Sequence, residues 1–131
     1  MSSEFEELTN YIEKTTSKVS NAADEALKEQ VDVEAKDYFN FLKRNTPKGA
    51  TGQLVNSLTM TKINTQRQYG YKIEYAGNRT DGTPNEKVAN ALNYGTKNIA
   101  GRFFRTRGIR RLKGMDGRIY LRFKDKLKKE N

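Results

Sequence analysis

Apolar residues recur at three- and four-residue spacing through the first third of the chain: Phe5, Leu8, Ile12, Val19, Ala22, Ala23, Ala26, Leu27, Val31, Ala35, Tyr38, Phe39 and Leu42. That period puts them on one stripe of helix, so residues 1–44 are expected to be helical. Thr15, Thr16 and Ser17 are poor interior helix residues and predict a break, with Ser17 or Ser20 capping a second helix. Pro47 stops the helical region, because it disfavours helical backbone at Thr46, and Gly49 and Gly52 follow closely.

From Ser57 the period changes to two. Leu58, Met60 and Ile63, then Tyr69, Tyr71, Ile73 and Tyr75, lie in stretches rich in β-branched and aromatic residues, which predicts two strands. Their short polar connection, Asn64 to Gln68, makes them antiparallel neighbours. Gly77 to Asn85 reads as a loop, and Glu86 to Tyr94 as a short helix with Val88, Ala91 and Leu92 on one face, ended by Gly95 as a left-handed cap. Ile119, Phe123 and Leu127 at four-residue spacing predict a last, basic helix starting near Asp116. The expected fold is α+β: long N-terminal helices packed on a small antiparallel sheet, with a short helix and a basic C-terminal helix. We expect one domain over residues 1–131, with a helical region at 1–44, a sheet-containing core with loops at 45–114 and the last helix at 115–131.

Composition bears mainly on function. The 131 residues are only 34% hydrophobic, which leaves little margin for a monomer and makes help from other subunits an expectation. The absence of Cys and His removes thiol nucleophiles, disulfides, Cys/His zinc sites and the Ser-His-Asp arrangement. No apolar run approaches the ~20 residues that cross a bilayer, and Met1 to Leu8 carries Glu4, Glu6 and Glu7 where a signal peptide would be basic and apolar, so no membrane partner is expected and assembly belongs in the cytoplasm. The net charge of +9 is unevenly spread. Residues 1–44 hold 10 acids and 6 bases for −4, residues 45–96 hold 3 and 6 for +3, and residues 97–131 hold 3 and 13 for +10. The C-terminal quarter therefore calls for an acidic partner, either nucleic acid or an acidic protein surface.

Catalytic constellations are lacking. Glu25 and Glu29 share a helix face that reads as the solvated side, and Asp81 has no second carboxylate at ligand spacing, so neither a metal nor any other cofactor is expected. Gly49-Ala50-Thr51-Gly52 and Gly95-Thr96-Lys97 lack the order of a phosphate-binding loop. The unusual passage is Arg102-Phe103-Phe104-Arg105-Thr106-Arg107-Gly108-Ile109-Arg110-Arg111, continued along the last helix by Arg118 and Arg122. Two readings stand side by side. Aromatics among guanidiniums stack bases and neutralise phosphates in single-strand binders. Alternatively, Phe103 and Phe104 insert into the core while the arginines pair with carboxylates of a neighbouring subunit, as their planar forked geometry suits.

Three segments occur in order: Thr46-Pro47-Lys48-Gly49-Ala50-Thr51-Gly52-Gln53-Leu54-Val55-Asn56-Ser57-Leu58, Ala89-Asn90-Ala91-Leu92-Asn93-Tyr94-Gly95-Thr96, and Ala100-Gly101-Arg102-Phe103-Phe104-Arg105. Together they resemble the tail-component family of long-tailed bacteriophages, small tail-completion and head-to-tail joining proteins. The resemblance spans residues 46–105. It departs from the family pattern where Arg102 stands for a Pro, Gly101 for an Arg, and no Pro follows Arg105. The resemblance implies a virion structural protein at the head-tail junction or tail, assembled in the host cytoplasm as a ring of six subunits around the DNA channel. Its partners would be copies of itself and other phage head or tail proteins, with transient contact to passing DNA. The motif residues Pro47, Gly52, Leu54, Ser57, Leu58, Tyr94, Gly95, Phe103 and Phe104 read as structural. Gly52 and Gly95 supply backbone that a side chain opposes, Leu54 and Leu58 anchor the sheet in the core, and Ser57 caps a turn or pairs at the strand edge. Charge reversal at Arg105, Arg107 and Arg110 is expected to impair assembly without unfolding the subunit. The alternative function is a basic nucleic-acid-binding module using the Arg-rich segment.

Overall fold

The structure, a computed structural model, describes residues 3–49 and 51–129; Met1 and Ala50, which enter the expectations above, lie outside them. The elements in order are α1 (Ser3–Asn45), α2 (Gln53–Asn56), β1 (Leu58–Asn64), β2 (Tyr69–Tyr75), α3 (Asn85–Tyr94), β3 (Gly95–Thr96), β4 (Ile99–Ala100), α4 (Phe104–Arg110) and α5 (Met115–Lys129). The class is α+β, with a long N-terminal helix and two small antiparallel sheets. The chain divides into two compact units, Met1–Val31 with Gly114–Asn131, and Asp32–Lys113, so the first boundary lies within α1.

The expected break in the first helix does not occur, and α1 runs unbroken for 43 residues through Thr15, Thr16 and Ser17. Each of those residues costs only about 0.5 kcal/mol relative to alanine, while a break would forfeit a turn of backbone hydrogen bonds and demand a second nucleation. Thr9 shows how a hydroxyl is accommodated, donating back to the Phe5 carbonyl at 3.0 Å. The helix ends where Pro47 predicts: the Thr46 amide donates to the Leu42 carbonyl at 2.8 Å, and the Thr46 hydroxyl turns to the same carbonyl and to the Tyr75 hydroxyl at 2.6 Å.

In the first unit, α5 starts at Met115, one residue before Asp116, and lies antiparallel along the end of that unit's share of α1. Arg122 reaches Gln30 and Glu29, and Lys126, one turn on, reaches Glu29 at 2.8 Å and Glu25 at 3.4 Å. Opposite charges hold Glu29 below the usual carboxylate range, with the Lys126 hydrogen bond as the largest cause. Ala22 and Ala26 are the buried apolar residues here, side chains small enough for close helix approach. Further toward the N-terminus the apolar stripe is uncovered: Phe5, Leu8 and Ile12 are more than half exposed and Val19 nearly so.

In the second unit β1 and β2 pair antiparallel, with Leu58 opposite Tyr75, Met60 opposite Ile73 and Asn64 opposite Tyr69. Thr65 closes the turn, its amide donating to the Gln68 carbonyl at 2.8 Å and its hydroxyl accepting from the Gln68 amide at 3.0 Å. Tyr69, Tyr71, Ile73 and Tyr75 share one sheet face by alternation, whereas Ile63, out of phase with Leu58 and Met60, falls on the other. The Tyr69 and Tyr71 hydroxyls both donate to the Asp32 carboxylate of α1 at 2.6 Å, which holds that carboxyl below its usual range and raises both phenols, Tyr71 to about 12. The core comprises Leu42, Leu54, Leu58, Tyr75, Ala89 and Phe104, with Tyr38, Phe39, Phe41, Ile73, Val88 and Leu92 packed around it.

Val88 and Leu92 of the expected α3 face pack against the core, but the fully buried row is a different one. Asn85, Ala89 and Asn93, four residues apart, form its buried row, and Val88 and Leu92 flank it. Ala89 brings the helix close, and the two asparagines fix its ends through hydrogen bonds. Gly95 does take positive φ at the end of α3, but with ψ 170° it opens β3 as extended chain instead of making a left-handed cap.

Candidate functional site

All three sequence motifs meet in the second unit, and each supplies side chains to the same core. Leu54 and Leu58 come from the first, Ala89 and Leu92 from the second and Phe104 from the third. Phe104 is fully buried, with its ring edge-on to that of Tyr75 at 6.4 Å, and removing such a ring from water contributes about 1.5–3 kcal/mol. Gly52 takes the left-handed conformation (φ 66°, ψ 14°) ahead of α2, and Ser57 ends that helix, its hydroxyl donating to the Leu54 carbonyl at 2.6 Å. The Ser57 carbonyl also accepts from the Ala76 amide at 2.8 Å, so Ser57 both closes the turn and pairs at the strand edge. Pro47 stands half-buried in the wall of a cavity described below.

The second and third motifs are joined backbone to backbone. The Arg102 amide donates to the Leu92 carbonyl at 3.0 Å and the Phe103 amide to the Asn93 carbonyl at 2.9 Å. A proline at position 102 would have no N–H for the first of these bonds. A Cβ at Gly101 would stand 2.7 Å from the carbonyl carbon and oxygen of Tyr94, and one at Gly95 would stand 2.6 Å from the Gly101 amide nitrogen. The crossing is therefore closed to any side chain at either position.

Helix α4 follows from this crossing and has no cap of its own, since the residue before it is Phe103 in left-handed backbone (φ 51°, ψ 29°). Asn93 supplies the cap from α3. Its Oδ1 accepts from the amides of Arg105 at 2.9 Å and Thr106 at 3.2 Å, and its Nδ2 donates to the Thr106 hydroxyl at 3.0 Å. On its far side α4 presents Gly108 to α1, where a Cβ would meet the Tyr38 and Phe41 rings at 3.1 and 3.3 Å.

The arginines named from the sequence separate into two groups. Arg105 donates to Glu86 and Asn90, each at 2.8 Å, and lies 5.3 Å over the Tyr75 ring, while Glu86 also accepts from the Tyr75 amide. Arg111 makes a two-pronged pair with Asp37 at 2.9 and 3.0 Å, which holds that carboxyl below its usual range, and Arg122 binds Glu29 in the first unit. Arg118, on α5, places its guanidinium beside Gly114. Much of the complementarity between the acidic helix and the basic C-terminal region is thus used within the chain. The charge reversal anticipated at Arg105, Arg107 and Arg110 must drop Arg105, which helps hold the fold.

Arg102, Arg107 and Arg110 are exposed, and among the described residues none of them forms an ion pair. Arg107 lies 6.0 Å over the Phe41 ring. Arg102 joins Lys48 and Arg79, equally without ion pairs, around a cavity of about 360 Å³ floored by Leu54, Val88 and Leu92. Three cations outside any ion pair, of which only Arg79 has a carboxylate in electrostatic reach, that of Asp81, border apolar side chains and suit a ligand carrying both carboxylates and apolar groups. Phe103 does not enter the core as Phe104 does. It stands 49% exposed next to Arg102, with Tyr94 (67%) and Ile99 (49%) on the neighbouring chain segment.

Sequence reasoning missed α4, Asn93, Glu86 and the Lys48–Arg79 pairing with Arg102. The four-residue spacing of Asn85, Ala89 and Asn93 was a usable signal for a polar buried row. Nothing local marks Arg79 and Arg102 as neighbours. No family model, curated protein or solved structure matches the chain. Among the described residues no group of three metal-ligating side chains is present, and no helix is long and apolar enough to cross a membrane.

Proposed function

We propose that this chain is a bacteriophage virion structural protein that completes the tail or joins it to the head, acting as one subunit of a ring. The number of subunits, six, and the place at the neck come from the motif resemblance. What supports the reading in the fold is that the three motifs carrying the resemblance build a single core, while the cations Lys48, Arg79 and Arg102 at its edge form no ion pair, Arg79 alone having a carboxylate of its own chain, that of Asp81, within electrostatic reach. A ring closes when the same heterologous contact repeats by rotation, and a surface with unsatisfied charge beside exposed aromatics provides one half of such a contact. The partners are then further copies of this chain and adjoining head or tail proteins, and DNA passes through the opening. No step in this role calls for a catalytic group.

The test is a lysate of the parent phage lacking this protein. DNA-filled heads beside separate tails, rejoined on adding the purified protein, are expected; intact virions would overturn the proposal. The variant with Arg102, Arg107 and Arg110 reversed to Glu is expected to stay folded and fail to rejoin them.

The exposed, unpaired Arg102, Arg107 and Arg110 favour one second reading, a nucleic-acid-binding module. It requires an affinity for duplex that falls with salt by about 0.9 log units per neutralised phosphate for each log unit of salt. Absence of binding at physiological salt removes it.

A further inference from the structure

Phe103 is the only residue other than glycine with positive φ among the described residues, and its side chain is half exposed. Left-handed backbone is costly for a bulky residue, and burial of its ring in this chain does not offset that cost. Its backbone is bonded to Asn93, next to exposed Tyr94 and ahead of the β3–β4 pair that carries exposed Ile99, and Arg102 before it, without an ion pair, lines the cavity with Lys48 and Arg79. Aromatics beside arginines in such a setting have the composition of an interface centre.

A complementary surface exists at the start of α1. Phe5, Leu8 and Ile12, at i, i+3 and i+7, stand 63%, 55% and 54% exposed on one stripe, and Glu6, Glu7 and Glu13 beside them make no ion pair among the described residues. Farther along the same stripe Ala22 and Ala26 are covered, so the uncovered part begins where the chain's own packing stops. One surface is apolar and acidic, the other aromatic and basic.

We infer that the start of α1 from a second copy of this chain docks on the Phe103 surface, its apolar stripe against Phe103 and Tyr94 and its glutamates toward Arg102, Lys48 and Arg79. The contact is head-to-tail, with each subunit using a different surface on each side. It deepens the ring reading above and rests on it for the expectation that copies associate by rotation.

The experiment is sedimentation velocity of the full chain over a range of concentrations, with thermal melting to check folding. Wild type is expected to self-associate. Phe103→Gly, and Phe103→Asn as a second variant that also tolerates left-handed backbone, are expected to keep or raise the melting temperature while weakening association by roughly tenfold or more. Leu8→Glu is expected to do the same from the other surface. Mixing Phe103→Gly with Leu8→Glu is decisive, because the pair retains one intact contact and should form a heterodimer at concentrations where each alone is largely monomeric. A wild type that stays monomeric, Phe103 variants that associate normally, or a mixture that does not pair would each overturn the inference. Normal association of Phe103 variants with loss in Leu8→Glu would mean that the α1 stripe pairs with itself. If the predicted contact is found but the protein does not rejoin heads and tails, the inference stands and the joining role fails.

Discussion

Replacing Asn93 by Ala removes the cap that α3 lends to α4, and the cost follows from the groups left behind. Two backbone amides, those of Arg105 and Thr106, lose their acceptor, and the Thr106 hydroxyl loses its donor. Asn93 is 1% exposed, so water does not readily take its place. A lost cap costs about 1 kcal/mol and each buried amide left without a partner about 1–3 kcal/mol; with partial relaxation, the expected loss is about 2–4 kcal/mol. That is a large share of the ~5–15 kcal/mol that holds a domain together. Urea unfolding followed by circular dichroism reads it as a lowered midpoint at unchanged slope. Thr106→Val removes only the hydroxyl contact and is expected to cost roughly 1 kcal/mol. An Asn93→Ala loss under about 1 kcal/mol, or equal losses in the two variants, would refute the assignment of Asn93 as the cap.

Three further outcomes are expected. Gly101→Ala drives a Cβ into the Tyr94 carbonyl and is expected to cost about 3 kcal/mol or more; an unchanged melting temperature would show that the crossing can open. Arg105→Ala is expected to lose about 2 kcal/mol through Glu86 and Asn90, whereas Arg110→Ala stays within about 0.5 kcal/mol of wild type, and equal losses in urea would contradict the division of the arginines. Burial pushes the Tyr75 phenol up from 10.0 to about 12, so the stability it contributes is full below pH 10 and is lost as pH rises toward 12. Chemical denaturation across that window should show the fall, and Tyr75→Phe, though weakened by loss of the Thr46 contact, should show less of it.

The α+β class, the hairpin, the end of α1 at Pro47 and the core positions Leu54 and Leu58 were all legible in the sequence, because they rest on local rules: the period of the apolar residues, the backbone limits of proline and the short polar turn, whereas the burial of Phe104 but not Phe103 was left open. The unbroken α1 was not. Propensities at Thr15, Thr16 and Ser17 are small terms, and the cooperativity of helix on both sides outweighs them. Helix α4 was hidden for the opposite reason, since its first turn has no capping residue of its own and depends on Asn93 from another element.

The sequence by itself determined the principal helices and the β1–β2 hairpin, where the charge lies and which side chains the chain lacks, since these follow from residue type and spacing along the chain. Tertiary structure alone decided which charges are spent. Arg105, Arg111 and Arg122 find carboxylates far from them in sequence, Lys48, Arg79 and Arg102 gather around one cavity without an ion pair, and Phe104 enters the core while Phe103, one residue away, is turned out. Those outcomes depend on which elements cross and how closely, and that is set by contacts such as Gly95 with Gly101 and Asn93 with α4, which only the folded chain brings together.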